Sequence, residues 1–224
     1  MSIEDINNNP NMLQIWINKE KVNAERYYSE NPDSLIPLFE RDLKKFGFIF
    51  EFIGQAVSFM PKHKKTILPI AIRYYQLAKK QQKYNEQDFF LKFFHFKGFD
   101  EVVPMLIDDY YSLITPDLTR WYISDCLFAI KSNQYIDEYL RMIANPELGQ
   151  NRQMIILLVG KLKIEKAIPV LIDLLEDEDV RLHAICALGD FKKEELRCYF
   201  ERFQNAKHPG WRKYAKAALK RLDS

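Results

Sequence analysis

The sequence predicts an all-α fold, a right-handed α-solenoid superhelix built from about six helix pairs. Three observations carry that expectation. The first is a column of arginines, Arg120, Arg152, Arg181 and Arg212, spaced by 32, 29 and 31 residues. The second is a column of prolines inside apolar triplets, Pro37, Pro69, Pro104 and Pro169, spaced by 32, 35 and 65 residues, the last being two periods. The third is a low glycine content, 7 in 224 residues, which supplies few of the positive-φ turns that hairpin-rich β architectures need.

Residues 1–32 read as an N-terminal helical cap, and residues 33–222 as the repeats of a single domain spanning 1–224. Helix starts are marked by Asn31-Pro32-Asp33, by Asp100 and by Thr115-Pro116-Asp117. The proline triplets Ile36-Pro37-Leu38, Leu68-Pro69-Ile70, Val103-Pro104-Met105 and Ile168-Pro169-Val170 each mark the opening of a helix A. Proline is tolerated in the first turn because its missing N–H has no intrahelical partner there. The arginine column marks helix B, in the segments DLTRWYISDCLFAI, GQNRQMIILLVGKL, EDVRLHAICALGDF and PGWRKYAKAALKRL. Three, seven and ten residues after each arginine the side chains are small or apolar, as at Ile123, Leu127 and Ile130. Those offsets lie on one stripe of an α-helix, so each B helix offers the same face to a core. A unit that cannot bury its own apolar face must stack on its neighbours, and the outer face of a terminal unit must be polar. The last helix fits that role with Arg212, Lys213, Lys216, Lys220 and Arg221.

A period near 30 residues built from two helices is the signature of helical solenoids. The segment KAIPVLIDLLEDEDVRLHAICALGDF, residues 166–191, resembles a HEAT repeat of the short bacterial kind found in phycobilisome lyase-like proteins. Pro169, Asp173, Val180, Arg181, Ala184, Ala187, Leu188 and Gly189 fall where that pattern expects them. Residues 209–222 match well. Residues 34–99 keep the proline column but replace the small residues with phenylalanine. The resemblance implies a scaffold that presents a binding surface, since function lies in sites grafted onto a fold. It also implies that each column arginine pairs with an aspartate of its own or the next unit, with Asp117, Asp173 and Asp179 available.

Composition narrows the function further. Lys+Arg of 33 against Asp+Glu of 31 gives a net charge near +2, which advertises neither nucleic acid nor an anionic membrane. No apolar stretch reaches the roughly 20 residues of a membrane span. The N-terminal Met1–Asn9 segment carries acid and amide where a secretory leader needs basic charge and an apolar core. A cytoplasmic location is the expectation. Cys126, Cys186 and Cys198 form no disulfide framework, and the four histidines match no metal-ligand spacing, so no cofactor or metal is expected. Cys126 and Cys186 read as small hydrophobes.

The leading expectation is a non-enzymatic scaffold or adaptor for a protein partner, with nucleic acid the less favoured ligand. Two features could form its surface. Trp121 and Asp125 stand at i and i+4 on one helix face, with Tyr122 beside them. This pair is remotely similar to the tryptophan and aspartate of HEAT-like alkylpurine DNA glycosylases. In that alternative, a DNA-modifying enzyme or DNA binder, Trp121 contacts the lesion or backbone, Asp125 stabilises positive charge on the deoxyribose, and the basic last helix with Arg212, Lys213, Lys216, Lys220 and Arg221 adds to the DNA-binding surface. The second feature is the aromatic concentration in residues 39–99. Helical spacing assigns Phe46, Phe50, Phe89, Phe93 and Phe96 to the core and leaves Phe48, Phe52, Phe90 and Phe94 either open to a partner, because exposed aromatics mark interfaces, or covered by the N-terminal cap.

Overall fold

A computed structural model of the protein describes residues 10–223. The expectation placed on the Met1–Asn9 segment lies outside that range. The described residues are helical with no β-strand, and none of their helices is long and apolar enough to cross a membrane. The chain divides into two compact units, Met1–Phe93 and Phe94–Ser224.

In the first unit, α1 (Pro10–Glu30), α2 (Ile36–Lys44), α3 (Ala56–Lys80) and α4 (Tyr84–Leu91) follow in order. The α2 and α4 helices both pack on α3. Pro37 opens α2 as expected, but Pro69 lies inside α3 together with Pro61. The 32-residue proline spacing therefore does not mark a new helix at this point. Helical geometry is instead interrupted at His63, where φ is −123° and ψ is 26°. The core joins Phe39 edge-on to Tyr74, Phe90 and Phe93 at centroid distances of 5.5, 5.2 and 5.0 Å. A buried carboxylate closes the other side: Glu86 accepts from the Leu35 N–H at 2.9 Å and from the Tyr27 hydroxyl at 3.2 Å. Burial and this carboxylate push the Tyr27 hydroxyl up to about 12.

The second unit is regular. Its helices alternate as α5 (Val103–Tyr111), α6 (Asp117–Ile130), α7 (Ile136–Ala144), α8 (Gln153–Lys161), α9 (Ile168–Asp173), α10 (Arg181–Phe191), α11 (Arg197–Glu201) and α12 (Pro209–Leu222). Each short A helix packs on the B helix that follows it. The B helices pack in chain order, α6 on α8, α8 on α10 and α10 on α12. The stripe read from the sequence forms this core, with Ile123, Leu127, Ile155, Val159, Ala184, Leu188 and Ala215 all fully buried. Each buried Leu, Ile or Val contributes about 1.5–3 kcal/mol.

Two local devices repeat. Pro104 and Pro169 open α5 and α9, as expected of helix A. Three B helices end in a lysine at the same distance beyond the column arginine, Lys131, Lys163 and Lys192, each in the left-handed region with φ of 56°, 53° and 54°. That conformation normally falls to glycine, because a Cβ costs energy there. None of the helix starts singled out in the sequence makes a side-chain cap: α5 begins through a 3₁₀ turn at Asp100–Val102, and Pro116 precedes α6. At Asn31-Pro32-Asp33 the chain turns first, and the Ser34 hydroxyl accepts from the Ile36 N–H at 3.2 Å.

Candidate functional site

The arginine column is a structural device in all four units. Each guanidinium reaches back to carbonyls at the end of the preceding helix A or in the segment that links it to helix B, where the helix itself supplies no donor. Arg120 donates to the Tyr110, Ser112 and Thr115 carbonyls at 2.8, 3.2 and 3.2 Å. Arg152 donates to Gly149 and Ile143 at 3.0 and 3.4 Å, Arg181 to Leu175 and Glu176 at 2.5 and 3.1 Å, and Arg212 to Ala206 and Lys207 at 2.8 and 3.4 Å. The expected aspartate partners are only partly correct. Asp117 pairs with Arg120 at 2.6 Å, but Arg152 takes Asp177 of the next unit at 2.5 Å, and Asp179 accepts from Gln150 instead. Asp173 is exposed on α9. Asp117 and Asp177 sit nearer to their guanidinium groups than the carbonyls do, but the carbonyls outnumber them at every column arginine, so the backbone supplies most of the acceptors.

Trp121, Tyr122 and Asp125 all lie on α6. Trp121 is half-buried with its ring edge-on to Tyr122 at 5.7 Å, and Tyr122 is exposed. Asp125 is half-buried and meets the His95 Nε2 at 2.9 Å. That hydrogen bond raises the His95 pKa above its ordinary value against the opposing effect of burial. Asp125 thus has a partner within its own unit that the sequence did not reveal.

The aromatic assignment in residues 39–99 is corrected at several positions. Phe48 is buried edge-on to Phe59 and His63, Phe90 is buried in the Phe39–Tyr74 cluster, and Phe94 is fully buried in the second unit. Phe52 is half-buried, edge-on to Trp16 at 5.2 Å. None of the four is an open partner surface. Phe46, assigned to the core, is 62% exposed. The physical reason is that residues 45–52 are not helical and α4 ends at Leu91. A helical wheel drawn through residues 46–52 or 89–99 therefore sorts faces that do not exist.

In the first unit Phe46 and Ile49 are exposed singly, and the second unit carries a longer exposed apolar run. Where α5 turns into α6, Leu113 is 98% exposed, Ile114 61% and Leu118 61%, with Tyr111 and Tyr122 exposed beside them in sequence. Leu118 and Tyr122 are one helical turn apart, on one face of α6. The signal was the apolar pair Leu113-Ile114 set directly before a Thr-Pro-Asp helix start, where a turn would ordinarily be polar.

The remaining candidates are plain. In the basic set of α12, Arg212 is spent on carbonyls, and Arg221 on the Gly189 carbonyl and Asp190 at 3.0 and 3.3 Å. Lys213, Lys216 and Lys220 are exposed. Burial pushes the Cys126 thiol up and that of Cys186 up to about 12, which disfavours the thiolate of each; Cys198 is exposed. Among the described residues no three His, Cys, Asp or Glu side chains gather where a metal could be held. A polar cleft of about 350 Å³ in the first unit is lined by Tyr27, Lys83 and Glu86 among others, and Lys83 closes on Asp33 at 2.5 Å. No protein-family model, curated protein or solved structure matches the chain.

Proposed function

We propose that this chain is a non-enzymatic interaction protein, a right-handed solenoid of HEAT-like helix pairs that holds a protein partner on the apolar edge where α5 meets α6. The observation that carries the reading is the exposure of Tyr111, Leu113, Leu118 and Tyr122, close together in sequence where α5 turns into α6. Exposed apolar side chains grouped in this way cost solvation free energy until a partner covers them, and Tyr and Leu side chains give contact area at modest entropy cost. The assignment of the column arginines to backbone carbonyls supports a scaffold, because it removes the most prominent row of charges from any catalytic role. The pairing of Asp125 with His95 gives that carboxylate a structural partner, and no observation favours the glycosylase-like alternative. The test is a photoreactive amino acid placed at position 113 and, as a control, at exposed position 192, in the native cell. A discrete protein adduct from position 113 alone is the expected result. Adducts that are the same from both positions would overturn the reading.

A further inference from the structure

The terminal helix α12 has an outer face that its neighbours do not neutralise. Lys213, Lys216 and Lys220 are exposed, and none has a carboxylate within 4.0 Å among the described residues. At 100° per residue they fall within about a 60° arc, a ridge roughly 10 Å long at 1.5 Å per residue. Three acids of this region are held by other cations: Asp190 by Lys161 and Arg221, Asp223 by Arg197, and Glu176 by Arg202. The inner face is fixed. Ala215 and Ala218 are buried, and Arg212 and Arg221 are tied to carbonyls of residues 206, 207 and 189.

Two aromatic rings flank this ridge, and they differ in exposure. Trp211 is stacked by His208 at 4.7 Å and carries the Arg181 guanidinium at 4.5 Å, so its ring is engaged. Tyr214 is exposed, and the Lys213 ammonium lies 5.6 Å from its ring centre. We infer that the Lys213–Lys216–Lys220 ridge and Tyr214 form a binding surface for single-stranded nucleic acid, phosphates against the lysines and a base against the tyrosine.

The choice of occupant follows from energetics. An acidic protein would gain little from three exposed lysines, because exposed ion pairs are nearly offset by desolvation and side-chain ordering. Such a partner also needs apolar anchors, and Tyr214 is the only exposed large apolar residue on this helix. A polyanion with condensed counterions gains by releasing them, whatever the shape of the surface, and base stacking on an aromatic is tolerant of sequence. The surface is distinct from the apolar α5–α6 edge and does not rest on the protein-binding reading.

The experiment is fluorescence anisotropy of a labelled 20-nucleotide oligothymidylate across a series of salt concentrations, with the full chain. The wild type is expected to bind with a log–log salt slope of about −2, from three phosphate contacts on a single strand. The triple variant Lys213→Gln/Lys216→Gln/Lys220→Gln is expected to lose at least tenfold in affinity and most of the slope. Tyr214→Ala is expected to weaken binding while leaving the slope unchanged. All four substituted residues are exposed, and circular dichroism of each variant verifies the fold. Three results would overturn the inference: no binding at low salt, equal binding by the triple variant, or equal binding of a 20-residue polyglutamate, which would make the ridge a general site for acidic chains.

Discussion

Gly160 tests the B-helix stacking most sharply. It is buried on α8, and a Cβ built there would lie 2.6 Å from the Ala187 Cα, 2.8 Å from its Cβ and 2.9 Å from its carbonyl oxygen on α10. Two of those three atoms are backbone, so no rotamer change relieves the overlap and the helices must separate. Overpacking of this kind costs about 1–3 kcal/mol, and the backbone partners place it near the upper end. Replacing a helical glycine by alanine returns about 1 kcal/mol of propensity. The net expectation for Gly160→Ala is a loss of about 2 kcal/mol, a fall in melting temperature of about 4–8 °C for a chain of this size. Urea unfolding followed by circular dichroism reads it directly. Adding Ala187→Gly should not rescue the variant, because the Cα and carbonyl contacts remain. Gly189→Ala serves as a graded comparison: its nearest neighbour is the Ala218 Cβ at 3.1 Å, a contact that small shifts can absorb. A Gly160→Ala variant more stable than the wild type would mean that propensity alone acts and that α8 and α10 do not approach as described.

Other outcomes follow from the same geometry. Arg152→Met should cost about 3 kcal/mol, because it strands the Ile143 and Gly149 carbonyls and the Asp177 carboxylate that a buried guanidinium now serves; denaturant melts measure it. Lys131→Gly and Lys192→Gly should each stabilise by roughly 0.5–1 kcal/mol by removing a Cβ from the left-handed region. NMR titration should place His95 above the ordinary histidine range and His183, desolvated by burial, below it. The signs are opposite: the His95 contribution is fully present below the unfolded pKa and is lost as pH rises through the folded value, whereas His183 costs stability as pH falls below its unfolded pKa. Asp125→Asn should return His95 toward the ordinary value and leave His183 where it is. A thiol reagent should modify Cys198 quickly in the native protein, and Cys126 and Cys186 only on unfolding, as counted by absorbance.

The regular half of the fold was legible because its B helices repeat both an apolar stripe and an arginine. Offsets of three, seven and ten from Arg120 and Arg181 name side chains that are buried. The acceptors of those arginines are not legible in a sequence, since backbone carbonyls carry no residue identity, and Asp177, not Asp173 or Asp179, is the carboxylate that Arg152 meets. The lysines at Lys131, Lys163 and Lys192 gave a repeated signal, but a lysine at a helix end reads as a solvated charge until its φ is known. In residues 45–52 and 92–99 the chain is not helical, so periodicity had nothing to act on, and Phe48 and Phe94 were placed on the wrong side. Leu113, Ile114 and Leu118 went unnoticed for the opposite reason. Apolar residues near helices count as core by default, and only the fold shows that these are exposed.

The measurement that tests the central claim most directly is affinity purification of the tagged chain from its native cell, with nuclease present, quantified by mass spectrometry. The wild type is compared with Leu113→Lys/Leu118→Lys, a pair of exposed positions whose change should leave the melting temperature within a few degrees. The account predicts a protein recovered in stoichiometric amount by the wild type and lost by the double variant. Recovery of the same protein by both, or of none above background by the wild type, would contradict it.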